Sequence, residues 1–176
     1  QVHRATLETG EEVIVKVRRP DIEDEVQQDL DIMEALAARA EKHSNEMRDL
    51  QLHSAVNEFA SWTRDELNLR NEMKNAQIFQ KNMQDQEHVK IPDVYPEHTT
   101  EKVLVMEYVT GVKCTDREKL REMDVDQEEL AKTIIDSMLQ QIVGDGFFHA
   151  DPHPSNFMVD GDDLIYIDFG MMGKLT

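Results

Sequence analysis

HADPHPSN, residues 149–156, sets two histidines, an aspartate and an asparagine within eight positions. Twelve residues beyond Asn156 comes Asp168-Phe169-Gly170, directly after the apolar run Leu164-Ile165-Tyr166-Ile167. That run and Phe157-Met158-Val159 flank Asp160-Gly161-Asp162-Asp163, which reads as a hairpin with an Asp-Gly turn. Far upstream, Val13-Ile14-Val15-Lys16-Val17 places one lysine in an otherwise apolar strand. A lysine there either finds an anion, since an unpaired buried charge is costly, or snorkels to the surface.

Each of these pieces is common alone. In this order they form the phosphoryl-transfer set of the protein-kinase fold: H-x-D-x-x-x-x-N, a hairpin, Asp-Phe-Gly, and a lysine strand far upstream. The chemistry accounts for the residue types. ATP brings clustered negative charge that Mg²⁺ neutralises. Asp168 and Asn156 are oxygen donors suited to that metal. Asp151 is placed to orient or deprotonate the attacking hydroxyl or water, and Lys16 to contact the α- and β-phosphates. Among the acids of the helical stretch downstream, Glu58, Asp65, Glu66 and Glu72 are all open partners for Lys16. A rival reading takes His149, Asp151, His153 and Asp168 as ligands of a transition metal in a hydrolase. In that scheme Pro152 and Pro154 hold the loop extended and Asn156 has no task. The bland reading of His149 is a structural histidine bonded to backbone near Asp168.

Working outward, Val2 to Leu7 and Glu12 to Val17 read as a hairpin around Glu8-Thr9-Gly10. Ile22, Val26, Leu30, Met33, Leu36 or Ala37, and Ala40 recur at helical spacing. A second helical stripe runs from about Ser54 to Met83, and its Phe59, Trp62, Leu69, Met73, Ala76 and Phe79 are expected in the core. Ile91 to Pro96 reads as an extended connector and Lys102 to Val109 as a buried strand. A further helix covers roughly Gln127 to Val143, with Leu130, Ile134, Met138 and Ile142 inward and Gly144 and Gly146 closing it. The outline is α+β, with a natural break near Thr110-Gly111.

The chain has 176 residues, 39% of them hydrophobic, enough for a core. Acidic residues outnumber basic ones 37 to 19, a formal charge of −18 that repels phosphate backbones and argues against general nucleic-acid binding. So acidic, halophile-like a surface suits a salt-rich cytosol. The single cysteine, Cys114, excludes an internal disulfide and reads as a small buried hydrophobe. No stretch of about 18 apolar residues is present to span a membrane.

The chain resembles the UbiB family of atypical, protein-kinase-like proteins, also called AarF-domain kinases. The resemblance rests on QVHRA at 1–5, VIVKVRRP at 13–20, DELNLRNEMKNAQIF at 65–79, VLVMEYVTG at 103–111, FFHADPHPSNF at 147–157 and LIYIDFGMMG at 164–173. It implies a two-lobed kinase-like fold, with residues 1–110 as the N-lobe, a helical insert at about 21–50, and residues 111–176 as the start of the C-lobe. It implies Glu72 as the partner of Lys16, Glu66 as a second acid near the nucleotide, and Glu107, Tyr108 and Val109 as the hinge that holds adenine. The family's E-x-D motif falls on Glu66-Leu67-Asn68, so its aspartate is an asparagine here, and Ser155 stands where many members have glycine. The family also carries a K-x-G-Q motif and an alanine-rich nucleotide loop, expected ahead of Gln1, and more C-lobe, expected after Thr176; the 176 residues alone are expected to be inactive.

The function this implies is an ATP- and Mg²⁺-dependent kinase or ATPase acting on a small or lipid-like acceptor and linked to isoprenoid quinone biosynthesis. A quinone-precursor lipid and quinone-biosynthesis proteins are the implied partners. The implied location is cytoplasmic, peripheral to the inner face of the membrane. The alternative is a nucleotide-sensing pseudokinase scaffold without significant turnover.

Overall fold

In the computed structural model, residues 1–44 and 48–175 are described, apart from the side chain of Glu66. The part of the expected insert at 45–47 therefore lies outside the described residues.

The chain opens with β1 (Val2–Thr6) and β2 (Glu12–Val17), antiparallel, with Val2 opposite Lys16. Gly10 makes the turn at φ 97, a conformation glycine adopts without strain. The buried strand expected at 102–109 is β4 (Val103–Glu107), which follows the short β3 (Val89–Lys90) and a 3-10 turn at Pro96–His98. β4 pairs with β2, completing a three-stranded sheet in the order β1-β2-β4. Val13, Leu104, Val105 and Met106 are buried in it.

The two expected helical stretches become three helices: α1 (Ile22–His43), α2 (Leu52–Glu66) and α3 (Leu69–Met83). The single helix read over 54–83 is broken at Leu67-Asn68. Asn68 is extended (φ −95, ψ 99), and its side chain accepts from the Arg70 amide at 3.0 Å, as an N-cap does. Two carbonyls at the end of α2 find side-chain donors. Asn71 Nδ2 donates to Asp65 O at 3.1 Å, and Arg18 Nη1 donates to Leu67 O at 2.6 Å. The break is thus a corner held by side-chain hydrogen bonds on both sides.

A second correction concerns the apolar stripes. Trp62 is 64% exposed and Phe59 49%. On α1, Leu30 and Ala37 are buried, but Met33 and Leu36 are exposed. α1 and α2 pack on each other, and their periodicity marks amphipathic helices without every apolar residue being covered. In α3 the reading holds: Leu69, Ala76, Phe79 and Met83 are buried.

The second half supplies β5 (Val112–Lys113), α4 (Arg117–Glu122), α5 (Gln127–Leu139), β6 (Phe147–His149), β7 (Phe157–Asp160), β8 (Asp163–Tyr166) and β9 (Met172–Lys174). Here α5 ends at Leu139, earlier than expected. The chain then widens into a π-helical turn over Gln140–Asp145, and Gly146 closes it at φ 62. Within that turn Ile142 is exposed, not inward. β7 and β8 form the expected hairpin around Gly161, and with β5 and β3 they make a four-stranded sheet in the order β3-β8-β7-β5. β6 pairs with β9 separately.

One core joins these parts. Phe79 of α3 lies 4.9 Å from Tyr166 and 5.8 Å from Phe169, ring centre to ring centre. Phe157 meets Tyr166 edge-on at 4.8 Å. Leu104, Met106 and Leu164 belong to the same cluster, and Cys114 packs against it. α3 is thereby fixed against both the sheet that carries Lys16 and the hairpin that precedes Asp168.

Candidate active site

Lys16 is the fifth residue of β2, and Glu72 lies in the first turn of α3. The Asn68 cap fixes where α3 begins and so sets which residue faces the strand. The Lys16 ammonium donates to both carboxylate oxygens of Glu72, each at 2.8 Å. Asp168 Oδ2 stands 3.6 Å from the same ammonium. Glu72 is 3% exposed, whereas the Asp168 side chain is 41% exposed. Burial opposes the charge on Lys16, but Glu72 and Asp168 outweigh it and hold the ammonium above its ordinary range. Burial pushes the Glu72 carboxyl up, against the pull of Lys16. One cation thus faces two acids, one sealed and one open. A cavity of about 360 Å³ opens beside this cluster, with Arg18, Leu67 and Leu69 also on its wall.

The loop at 149–156 is held by its own side chains. Asn156 Nδ2 donates to the Asp151 carbonyl at 3.0 Å and to Asp151 Oδ2 at 3.1 Å. His149 is 3% exposed. Its Nδ1 accepts from the Asp151 amide at 3.2 Å, so Nε2 carries the proton and donates to the Asp168 carbonyl at 2.9 Å. Burial holds this imidazole below its ordinary pKa, which fits the neutral tautomer. With both ring nitrogens engaged, His149 has no lone pair for a metal, which removes the hydrolase reading at its first ligand. His153 Nδ1 accepts from the Ser155 amide and serves the loop alone. Among the described residues no group of three or more His, Cys, Asp or Glu gathers to hold a metal ion.

The β7–β8 register brings the loop to Asp168. Phe157 pairs with Tyr166, and one step further the Ile167 amide donates to the Asn156 carbonyl at 3.1 Å. Asn156 and Asp168 therefore leave the same open end of the hairpin. Asp168 Oδ1 accepts from the Gly170 amide at 3.0 Å, and Asn75 Nδ2 of α3 fixes the Phe169 carbonyl at 3.0 Å. The donor set fits Mg²⁺ chemically: Asp168 offers an exposed carboxylate, and Asn156, with its amide nitrogen spent on Asp151, offers a carbonyl oxygen.

The other expected site residues stand apart. Glu107 Oε2 accepts from the Asp93 amide, and the Glu107 amide donates to Asp93 O. The Tyr108 amide donates to Glu12 O at 3.1 Å, and Arg4 lies over the Tyr108 ring at 4.1 Å. Val109 follows in the connection from β4 to β5 at 108–111. Glu66 ends α2, and its side chain lies outside the described residues. Sequence reasoning missed Gln141, Ser137 and Tyr166, which are fully buried and bonded to one another behind the loop. A signal was available: Ser137 and Gln141 continue the helical stripe of Leu130 and Ile134, where a polar residue needs a partner.

The whole chain, residues 1–176, matches the ABC1 atypical kinase-like domain. The chain belongs to that family. An ABC1 relative from Arabidopsis thaliana, the chloroplastic "Protein ACTIVITY OF BC1 COMPLEX KINASE 8", is 40% identical over 100% of this chain and 24% of its own length. The "Probable protein kinase UbiB" of Pseudomonas aeruginosa is 38% identical over 100% of this chain and 34% of its own. The chain thus spans about a third or less of these relatives. Among solved structures, the Rv3197–erythromycin complex from Mycobacterium tuberculosis superposes with a TM-score of 0.70 at 26% identity, covering 99% of this chain and 43% of that one. The ABC1 assignment makes the chain part of an atypical kinase-like protein of mixed α+β, kinase-like fold. No described helix is long and apolar enough to cross a membrane.

Proposed function

We propose that these residues form the nucleotide site of a UbiB-type atypical kinase or ATPase, which binds Mg·ATP and hydrolyses it or phosphorylates a small or lipid-like acceptor. The observation that carries this reading is the Lys16 ammonium held by buried Glu72 at 2.8 Å and faced by open Asp168 at 3.6 Å. A lysine fixed in this way presents its charge without needing to reorganise when phosphate arrives. Lys16 contacts the α- and β-phosphates, and Glu72 positions it. Asp151, oriented by Asn156, accepts or aligns the proton of the attacking hydroxyl or water. Asp168 and Asn156 would hold Mg²⁺, which when bound neutralises charge on the phosphates. The carbonyls of Glu107 and Tyr108, with Val109, border adenine, and Glu66 is a second acid near the nucleotide.

The kinase names of the Arabidopsis and Pseudomonas relatives support the reaction class. The UbiB name of the Pseudomonas relative supports a link to isoprenoid quinone synthesis, with a quinone-precursor lipid or quinone-biosynthesis proteins as partners.

The test is phosphate release from Mg·ATP by the full-length protein and its Asp151→Asn variant, with and without lipid vesicles and a quinone-precursor-like phenol. Release that falls by about a hundredfold or more in the variant supports the enzyme. Equal, negligible release from both, with ATP still bound, replaces it with a nucleotide-sensing scaffold.

A further inference from the structure

Behind the loop at 149–156 runs a buried hydrogen-bond chain with no slack in its proton placement. Ser137, 1% exposed, donates its hydroxyl proton to the Ile134 carbonyl at 2.9 Å. Its oxygen, 2.7 Å from the Tyr166 hydroxyl, is therefore an acceptor, and Tyr166 is the donor. Gln141 Nε2 donates to the same Tyr166 oxygen at 2.9 Å. That fixes the Gln141 amide: its Oε1 faces the other way and accepts from the His149 backbone amide at 2.9 Å. His149 then divides its ring between the Asp151 amide and the Asp168 carbonyl. Gln141 and Tyr166 are both 0% exposed.

We propose that Gln141 and Tyr166 are positioning residues that set the backbone of Asp151 and Asp168 together, so that the two acids keep one relative geometry. Three observations carry this. Each side-chain oxygen and nitrogen along the chain has a hydrogen-bond partner, and one placement of the bridging protons suits them all; a bonded buried network of this kind rigidifies what it touches. Gln141 sits in the π-helical turn at Gln140–Asp145, a rare geometry that recurs at functional sites. Tyr166 is pinned by packing as well, with Phe79 and Phe157 on its ring, so its hydroxyl is a fixed point and not a rotor. The tether works through His149: if Gln141 releases the His149 amide, one imidazole loosens both acids.

This proposal rests on the phosphoryl-transfer reading for its kinetic consequence but not for its structural one, so the experiment reads both. The full-length protein is compared with Gln141→Leu, which removes both amide contacts, and Tyr166→Phe, which removes one oxygen and keeps the ring. Hydrogen exchange is followed at residues 149–151 and 168–170 and, as a reference, in β2 and β4. The expected result is exchange about tenfold faster at both acid segments in each variant, with the reference strands unchanged. In steady state, kcat for Mg·ATP falls about tenfold while KM stays within about twofold, the split expected of misplaced groups and not of lost folding. Unchanged exchange at 149–151 and 168–170 in both variants overturns the tether, as does equal acceleration in the reference strands. Should Gln141→Leu fail to fold, Tyr166→Phe carries the test. Should the wild type show no turnover, the enzymatic reading fails, and the exchange result still decides the tether.

Discussion

α2 and α3 are consecutive helices of fifteen residues each, and they meet the molecule in opposite ways. α3 buries five residues, including the charged Glu72, and reaches Lys16, Phe169 and Tyr166. α2 packs on α1 and leaves Phe59 and Trp62 in solvent. Both carry an apolar stripe of similar strength. What separates them is the partner of their polar residues. Glu72 and Asn75 of α3 are bonded to groups far away in the chain. Among the described residues, the α2 side-chain bonds are local or reach α1. A helix that carries function is marked by polar groups with distant partners more than by its apolar face.

This contrast can be broken by substitution. The largest effect is expected for Phe79→Ala, which empties the centre of the aromatic cluster; about 3–5 kcal/mol of stability is lost, read by urea unfolding. Next is Glu72→Ala. It leaves a half-buried ammonium facing only Asp168, and a loss of about 3 kcal/mol is expected, together with weaker nucleotide binding. A near-neutral result at either position would erase the distinction between the helices. Asn68→Ala removes the cap that separates them and costs about 1 kcal/mol. A larger loss there would mean that the corner, and not the core, holds α3 in place. The smallest effect is expected for Trp62→Ser, within about 0.5 kcal/mol in the same unfolding assay, because its ring is already in solvent. A loss above about 2 kcal/mol would show that α2 is covered in the full-length protein.

Much of the site was legible because its signals are local and chemical. Gly10 and Gly161 mark turns that need positive φ, and the spacing Asp151–Asn156 and the Asp168-Phe169-Gly170 triplet each lie within one short segment. The role of His149 as a backbone ligand near Asp168 was legible for the same reason. The corner at Leu67-Asn68 was not, since a single asparagine inside a continuous stripe is a faint stop signal, and Arg18, whose guanidinium seals the end of α2, is 49 residues away from Leu67. The exposure of Trp62 was not legible either, because periodicity tells which residues share a face and not what covers it. The tether through Gln141 depends on a register between α5, the π-helical turn and β8 that no short segment contains.

The central claim is that Lys16, Glu72 and Asp168, with Asp151 and Asn156, make one site for Mg·ATP. Its most direct test is calorimetric ATP binding to the full-length protein with and without Mg²⁺, wild type beside Asp168→Asn. The predicted result is binding that needs Mg²⁺ in the wild type and is weakened about tenfold or more in the variant, with its metal dependence gone. Equal affinity with and without Mg²⁺ in the wild type, or an Asp168→Asn variant that keeps the wild-type metal dependence, would contradict it.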